Sequence, residues 1–387
     1  MREHALFNMS SGPVQGSART LRALSRQIFY HHDPEFVEIF DACTEKLQRL
    51  FKTSGDVIIM QGEALLGLEA AAFCTIEPGD KCLNLVSGIF GHLYAGYIEA
   101  FGGQVIEVRT DYDKAIDPAE VEKAFAENTD IKIMAVVHSE TPSGTVNPVK
   151  DLCPIAKKYG AITIVDAVSS IGGTDVNVDD WGIDICCIGP QKCLASSPGL
   201  APVAVSEDAW EKMRNKSKPV RSSYMSMLDF KERWLCEKEK RSFPYTMFTN
   251  EVVALDDTMS QVFEEGLENM IARHKTAARM ARAGVKGMGL SLWAHTEDIC
   301  GSGATAVKAP DGIDEVKLRR HLYEQYRTPI SGGFRELKGK LFRLGHMGPT
   351  ANPAHVAMQL AMVEKSLHDL GYPVKLGSGV GAALGTI

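Results

Sequence analysis

The sequence has little that would suit it to secretion, membrane insertion or nucleic-acid binding. Its nine cysteines are an odd number without a repeating spacing, so they predict reduced thiols rather than a disulfide framework. No apolar run approaches the roughly eighteen residues of a membrane span. The formal net charge of -7 leaves no broad basic field for a phosphate backbone. We therefore expect a cytoplasmic protein with small-molecule substrates, and neither a membrane nor a nucleic acid as partner.

The composition that remains is that of an ordinary globular enzyme. The 387 residues are 44% hydrophobic and 24% charged, which suits one large domain and a smaller one. No internal repeat or low-complexity region interrupts them. We assign no metal site.

Short β-rich segments alternate with helical patterns through the first 250 residues. Seven of them read as strands, at 56–60, 82–86, 105–108, 131–137, 162–165, 185–188 and 202–205. Alternation of this kind is typical of βαβ units. The pattern predicts an α/β fold with a mainly parallel, seven-stranded sheet.

The segments outside this alternation predict the domain organisation. Residues 16–250 form the large domain, and 286–387 form a small α+β C-terminal domain. Between them, apolar residues at helical spacing over 251–285 predict a single bridging helix. Residues 1–15 are expected to pack against the small domain or a neighbouring subunit.

The most informative pair of residues is Asp166 and Lys192. Asp166 ends one buried strand-like run, and Lys192 follows another. A carboxylate can keep a pyridine nitrogen protonated, and a lysine amine can react with an aldehyde, which is what a pyridoxal-type electron sink requires. The pair predicts a transaminase with Lys192 as its catalytic, Schiff-base residue. A solvated lysine and a strand-end turn aspartate are the competing interpretations.

Three further features could complete such a site. Phe90 follows a strand and could stack on a ring, Thr141 and Ser143 lie in a polar loop, and Arg343 offers a bidentate fork for a carboxylate. A core phenylalanine, a plain turn and a surface ion pair would explain the same residues.

Together these segments resemble the class V aminotransferases of fold type I. The likeness extends from Ser11-Gly12-Pro13 to Arg343-Leu344-Gly345 and includes the motifs at 141–145, 165–170 and 189–194. It implies the PLP-transferase fold, with Lys192 as Schiff-base lysine, Asp166 under the ring nitrogen, Phe90 stacking and Arg343 binding the substrate carboxylate. By the same resemblance, further residues line the site, namely Thr141, Ser143, Thr145, Gln191 and Cys193.

The resemblance also implies a homodimer or homotetramer in which Tyr30, Phe243 and Thr246 reach the neighbouring subunit's site. Two positions depart from a similar sequence. Phe90 stands where that sequence has tyrosine, and Phe334 stands where it has an arginine, with Arg335 one place further on.

Glu63 is the residue from which we predict whether the ligand carries a phosphate. Ordinary class V enzymes have a small hydroxyl residue here, at a helix N-terminus that holds the cofactor phosphate. A carboxylate would repel a phosphate by about 6 to 8 kcal/mol at an effective dielectric near 20, and protonating a glutamate at pH 7 limits the net penalty to about 4 kcal/mol. A hydroxymethyl group could instead donate a hydrogen bond to Glu63.

We therefore expect the unphosphorylated vitamers to be substrates, with pyridoxamine and pyruvate giving pyridoxal and L-alanine, and no tightly bound cofactor. One alternative is a conventional PLP-dependent aminotransferase that uses glyoxylate or pyruvate with a small amino acid. Another is a B6-binding protein without turnover. A solvent-facing glutamate that merely caps a helix is the competing interpretation of Glu63.

Overall fold

The computed structural model describes residues 7–387, so part of the predicted 1–15 segment lies outside the described residues. The strands are β1 (Asp56–Gln61), β2 (Lys81–Val86), β3 (Gln104–Arg109), β4 (Ile131–Val137), β5 (Ser139–Glu140), β6 (Thr145–Val146), β7 (Ile162–Asp166), β8 (Ile185–Cys187), β9 (Leu200–Val205), β10 (Ala304–Lys308), β11 (Ser331–Gly332) and β12 (Leu341–Gly345). The α-helices are α1 (Ala18–Leu24), α2 (Pro34–Phe51), α3 (Ala64–Thr75), α4 (Ile89–Ala100), α5 (Pro118–Glu127), α6 (Val149–Lys158), α7 (Val178–Trp181), α8 (Glu207–Arg214), α9 (Met227–Arg233), α10 (Thr249–Glu265), α11 (Leu267–Gly287), α12 (Glu315–Tyr326), α13 (Pro353–Asp369) and α14 (Ser378–Leu384).

The large domain is built on one seven-stranded sheet in the order β1-β9-β8-β7-β4-β2-β3. The pairs β2·β3, β2·β4, β4·β7 and β7·β8 are parallel, and only β9 runs antiparallel to its two neighbours. The predicted α/β fold with a mainly parallel sheet is confirmed. All five residues of β7 are buried, as expected for a central strand covered on both faces.

This topology brings the polar strand ends together. Asp166 ends β7 beside Val137 of β4 on one side and Cys187 of β8 on the other. Ligands of open parallel sheets bind outside the carboxyl ends of the strands. The segments that follow β4, β7 and β8 are therefore placed to form one site.

The predicted single helix over 251–285 is wrong, because the chain forms two helices there. α10 ends at Glu265, and α11 begins at Leu267. Gly266 between them has φ +88, a backbone conformation that a helix cannot contain and that glycine adopts at little cost. The apolar periodicity continues across the break, which is why the pattern did not reveal it.

The small domain is a three-stranded antiparallel sheet, β10-β12-β11, packed with α11 to α14. The N-terminal segment lies against it. Met9 is buried in the core of this domain, its N–H donates to the Pro329 carbonyl (3.2 Å), and its carbonyl accepts from the Gly345 N–H (3.0 Å). This path carries Ser11 and Gly12 towards the large domain.

Within residues 7–387, no helix is both long and apolar enough to cross a membrane. All nine cysteines are free thiols, and seven of them are buried. Burial raises the pKa of several of them, for example that of Cys193 to about 12, so these thiols are protonated at neutral pH.

Three histidines are buried as neutral rings. Burial lowers the pKa of His138 to about 4, of His274 to about 3 and of His346 to about 4. The His274 ring donates from Nδ1 to the Met270 carbonyl (2.8 Å) and accepts the Gly348 N–H at Nε2 (3.0 Å). A second ring proton would destroy the contact with Gly348.

We predict that His274→Gln makes the acid dependence of stability shallower. Because the folded pKa of His274 lies below its unfolded value, its contribution is complete above about pH 6.5 and is lost as pH falls towards the folded value. Between pH 6 and 4 the slope of the unfolding free energy against pH should decrease by about 1.4 kcal/mol per pH unit. Urea titrations at several pH values measure this slope, and an unchanged slope would contradict a buried neutral His274.

Candidate active site

A cleft of about 200 Å³ opens at the carboxyl end of β7, beside the N-terminus of α3. The lining residues come from α3, α4 and the loops after β4, β7 and β8, and they are Glu63, Ala64, Leu65, Leu68, Phe90, Ser139, Thr141, Asp166, Val168, Ser169 and Lys192. The predicted catalytic lysine and ring aspartate therefore share one cavity.

Lys192 is held at the edge of the cleft by the N-terminal segment. Its Nζ donates to the Ser11 carbonyl (3.0 Å). Gly12 has φ +101, and a Cβ there would lie 2.5 Å from Lys192 Cδ, so only glycine leaves room for the lysine. Burial, with the positive charge of Arg343 as second cause, lowers the pKa of Lys192 to about 8. At pH 7 about one lysine in ten is then an uncharged nucleophile.

Asp166 lies at the floor of the cleft. Its side chain is 8% exposed, and its Oδ1 accepts the Val168 N–H (2.9 Å). Burial raises the pKa of Asp166 to about 6, and hydrogen bonding to Val168 and the charge of Lys192 oppose that rise. A buried carboxylate of this kind favours a cationic hydrogen-bond donor as its partner.

Phe90 lines the cleft from the first turn of α4, and a buried glutamate fixes that turn. The N–H groups of Phe90 and Gly91 donate to the Glu140 carboxylate (3.1 and 2.7 Å). Burial raises the pKa of Glu140 to about 7. A Cβ on Gly88 would lie 2.3 Å from Glu140 Cδ. Glu140 is a functional residue that sequence reasoning missed, although its position between β4 and the turn at 141–144 was a signal.

The predicted hydroxyl residues divide into two groups. Thr141 lines the cleft and shares a hydrogen bond with Ser169, which the sequence analysis did not single out. Ser143 and Thr145 are buried and bond each other across the β5–β6 hairpin (2.7 Å). Cys193 is fully buried behind the site and outside the cleft lining.

Arg343 lies in the middle of β12 with its guanidinium turned towards the large domain. Nε and Nη2 donate to the Gly332 carbonyl (3.0 and 2.7 Å), and Nη1 donates to the Thr141 carbonyl (3.2 Å). These bonds use three of the five N–H groups of an arginine, so two remain for a carboxylate. Burial lowers the pKa of Arg343 to about 10, which leaves the group charged at neutral pH.

We predict that Arg343→Lys raises KM for the keto acid by about 10- to 100-fold and changes kcat less. Lysine keeps the charge but loses the planar fork, and a hydrogen bond to a charged group is worth about 1.5 to 3 kcal/mol. Steady-state kinetics measure both parameters. Arg335→Lys is the matched control, since Arg335 is exposed; an equal rise of KM in the control would assign carboxylate binding to Arg335.

Arg335 and Phe334 stand at the turn after β11. Both are exposed, Arg335 has φ +47, and its guanidinium lies 5.7 Å from the centre of the Phe334 ring. Although Arg335 is offset by one residue from the arginine of the similar sequence, it still lies on the small domain, close to β11. The Gly332 carbonyl of β11 accepts from Arg343.

Glu63 is the N-cap residue of α3. Its Oε2 accepts the Leu65 N–H (2.9 Å), and its Oε1 accepts Nε2 of Gln191 (2.7 Å). Glu63 itself is exposed, yet its carboxylate occupies the helix N-terminus and borders the cleft. The helix amide at this end is therefore already used by the protein's own anion.

The residues predicted to reach a neighbouring subunit have different environments. Tyr30 is 67% exposed, and Thr246 is exposed, so both are available to a second chain. Phe243 lies in the interior of its own chain, and its contact with a neighbouring subunit stays a prediction. Its side chain is 4% exposed and stacks on Trp234 of its own chain at a ring separation of 3.8 Å, within an aromatic cluster that includes Phe40.

A lysine and an aspartate at the carboxyl edge of the α/β sheet, with an arginine of the small domain turned towards them, indicate the class of protein. The chain matches the model for aminotransferase class V over residues 19–334, and it belongs to that family. It is similar to pyridoxamine–pyruvate transaminase of Mesorhizobium japonicum, with 38% identity over all of this chain and 98% of the relative. It is also similar to (S)-ureidoglycine–glyoxylate transaminase of Bacillus subtilis, with 32% identity over 97% of this chain and 94% of the relative.

A solved structure gives the same result. The crystal structure of pyridoxamine–pyruvate aminotransferase from Mesorhizobium loti superposes with a TM-score of 0.96 at 37% identity, over 99% of this chain and 97% of that chain. The chain is an aminotransferase of fold type I, as the sequence predicted.

The expectation that no cofactor is tightly bound is wrong. Class V aminotransferases, including the ureidoglycine–glyoxylate relative, are PLP-dependent enzymes, and PLP is their bound cofactor. The ring end of the cleft fits this group, because Asp166 is a buried carboxylate in need of a cationic donor and Lys192 is an amine of lowered pKa. At the other end, a phosphate would meet Glu63.

The residues of the cleft, together with Arg343 of the small domain, suit the tasks of transamination. A pyridoxal ring, when bound, would supply an electron sink for the α-carbon of the amino compound. Lys192 Nζ would hold the ring and would move a proton to and from that carbon. Asp166 would keep the ring nitrogen protonated, Phe90 would cover one face, and the two remaining N–H groups of Arg343 would receive the substrate carboxylate.

Proposed function

We propose that this aminotransferase accepts free pyridoxamine as amino donor and pyruvate as acceptor, giving pyridoxal and L-alanine. The activity is that named for the Mesorhizobium relatives. Pyridoxamine would take the ring site that PLP uses in the family, so the two compete for the space around Lys192.

The observation that carries this proposal is the position of Glu63. Its two carboxylate oxygens are fixed by two different donors at the N-terminus of α3, and the residue borders the cavity that contains Lys192 and Asp166. A ligand that presents a hydroxyl hydrogen there gains a charge-assisted bond, whereas a phosphate meets a like charge. Pyridoxamine carries such a hydroxymethyl group.

A second candidate is a PLP-dependent aminotransferase that moves the amino group of a small amino acid to glyoxylate. It is favoured by the names of several relatives, which include the ureidoglycine– and serine–glyoxylate transaminases at 32% and 31% identity. In this case the phosphate of PLP would have to displace or protonate Glu63.

Two assays on the same protein separate the candidates. The full chain is stripped of B6 compounds by dialysis against excess keto acid, and pyridoxal formation from pyridoxamine and pyruvate is followed by ring absorbance. In parallel, the PLP-loaded protein is supplied with alanine or serine and glyoxylate. We expect the first reaction to have the larger kcat/KM. Turnover confined to the PLP-loaded protein would reject pyridoxamine as donor.

We further propose that a second copy of the chain completes the site. Several large apolar side chains are exposed, among them Ile28 (75% exposed), Tyr30 (67%), Phe248 (49%) and Tyr224 (47%), and Leu65 in the cleft lining is 40% exposed. Tyr224 and Phe248 both contact Gln61, two residues before Glu63. Light scattering after gel filtration should give at least twice the mass of one chain. A monomer with full activity would contradict this.

A further inference from the structure

Gln191, the residue before the predicted catalytic lysine, is bound to Glu63 through a buried side chain. It is 2% exposed, and its Nε2 donates to Glu63 Oε1 at 2.7 Å. Gly189 makes the space for it, because a Cβ at that position would lie 2.6 Å from Gln191 Oε1 and 2.9 Å from Val168 Cγ1. The amide is thus confined between Gly189 and the carboxylate.

The orientation of this amide leaves its other end without a partner. Within residues 7–387, Gln191 Oε1 is buried and accepts no hydrogen bond. Turning the amide over would bring its oxygen against the Glu63 carboxylate, which can only accept. An unpaired buried carbonyl is unfavourable, so the bond to Glu63 outweighs it. Glu63 therefore decides which end of the Gln191 amide faces the helix N-terminus.

We propose that Gln191 is a positioning residue for vitamer specificity whose effect on phosphate binding changes sign with the residue at position 63. With Glu63 present, the Gln191 amide holds the carboxylate in place and so disfavours a phosphate at the N-terminus of α3. With a small neutral residue there, the same NH₂ group is released and donates to the phosphate instead. This inference rests on the proposed function, since it concerns the 5′ end of the pyridoxal ring.

The change of sign follows from the single hydrogen-bond donor that Gln191 offers here, its NH₂ group, which is bound to Glu63. In the native chain this group donates to the Glu63 carboxylate. When residue 63 carries no charge, the same group can donate to the phosphate of the ligand. A side chain that served only to fill space would change both vitamers equally in both backgrounds.

The test compares Gln191→Met in two backgrounds, the native chain and Glu63→Ser. Stripped full-length proteins are titrated with PLP and with pyridoxal, and the ratio of the two Kd values is measured for each by absorbance. In the native background Gln191→Met should shift the ratio towards PLP by about threefold to tenfold. In the Glu63→Ser background it should shift the ratio towards pyridoxal by about tenfold, the value of one hydrogen bond to a charged group. A shift of the same sign in both backgrounds overturns the proposal.

A second variant tests the site if methionine at 191 prevents folding. Glu63→Ser combined with Gln191→Glu returns one carboxylate to the helix N-terminus from the other side, and it should lower PLP affinity at least tenfold below that of Glu63→Ser. Equal PLP affinity of the two proteins would overturn the inference.

Gln48→Met is the control, because the Gln48 amide is half-buried on α2, is not part of the cleft lining and donates to the Gly55 carbonyl (3.0 Å). The ratio of its Kd for PLP to its Kd for pyridoxal should equal that of the native chain. A changed ratio would mean that losing a side-chain amide anywhere in the chain has this effect, which would overturn the proposed role of Gln191. All of these readouts are binding constants. Absence of pyridoxamine–pyruvate turnover would therefore reject the proposed function without deciding the role of Gln191.

Discussion

Replacement of Lys192 by alanine should reduce transamination by about 10⁴-fold or more and remove the absorbance change that accompanies binding of pyridoxal. Proton transfer by a positioned side chain contributes about 10² to 10⁴ in rate, and Lys192 also provides the covalent attachment. Its lowered pKa, to about 8, makes both tasks feasible near neutral pH. Single-turnover absorbance with pyridoxal, and then with pyridoxamine and pyruvate, measures the two losses separately.

Lys275→Ala is the control for this experiment, because Lys275 is an exposed lysine of α11 far from Lys192 in sequence. It should keep native activity. If Lys192→Ala retained more than about a hundredth of native turnover, the proton would have to be moved by another group.

The position of the Lys192 amine depends on a contact that a sequence cannot reveal. Ser11, whose carbonyl accepts from Nζ, lies 181 positions before Lys192 and belongs to a segment that packs on the small domain. The sequence contained only a hint, the Ser11-Gly12-Pro13 motif. By contrast, the position of Asp166 was predictable. An apolar strand that ends in a carboxylate is a buried strand of the sheet, and its last residue lies at the carboxyl edge where ligands bind.

One error arose at a single glycine that the apolar pattern passes over. The helical periodicity over 251–285 is real, but Gly266 adopts a positive φ and divides it into α10 and α11. Phe243 lies in a segment predicted to reach a partner's site, and its ring packs against Trp234 and Phe40 of its own chain. That aromatic cluster joins residues far apart in sequence, so propensity and spacing could not reveal it.

Glu63 is a residue whose position could be predicted from the sequence. The sequence predicts a carboxylate at a helix N-terminus, and in the structure Glu63 is the N-cap of α3. Its carboxylate accepts hydrogen bonds from Leu65 and Gln191. What the sequence could not supply was the fixing of that carboxylate by Gln191, 128 positions away. This fixing makes Glu63 a permanent feature of the cleft and not a mobile surface charge.

Replacement of Glu63 by serine should therefore shift the preference of the protein towards PLP. Two like charges about 4 Å apart repel by about 1 kcal/mol in water and by about 4 kcal/mol in a partly buried site. Since Glu63 is exposed and a phosphate carries nearly two charges, we expect a net penalty of about 2 to 4 kcal/mol. The ratio of Kd for PLP to Kd for pyridoxal should fall by about 30-fold to several hundred-fold.

Glu63→Gln separates charge from shape in this experiment. Glutamine has the same size and can still cap α3, but it carries no charge, so electrostatic repulsion predicts that it recovers most of the serine variant's gain in PLP affinity. A steric block predicts instead that glutamine behaves like the native residue. If neither variant changed the ratio, a phosphate would have to bind away from the N-terminus of α3, and Glu63 would then be only a helix cap.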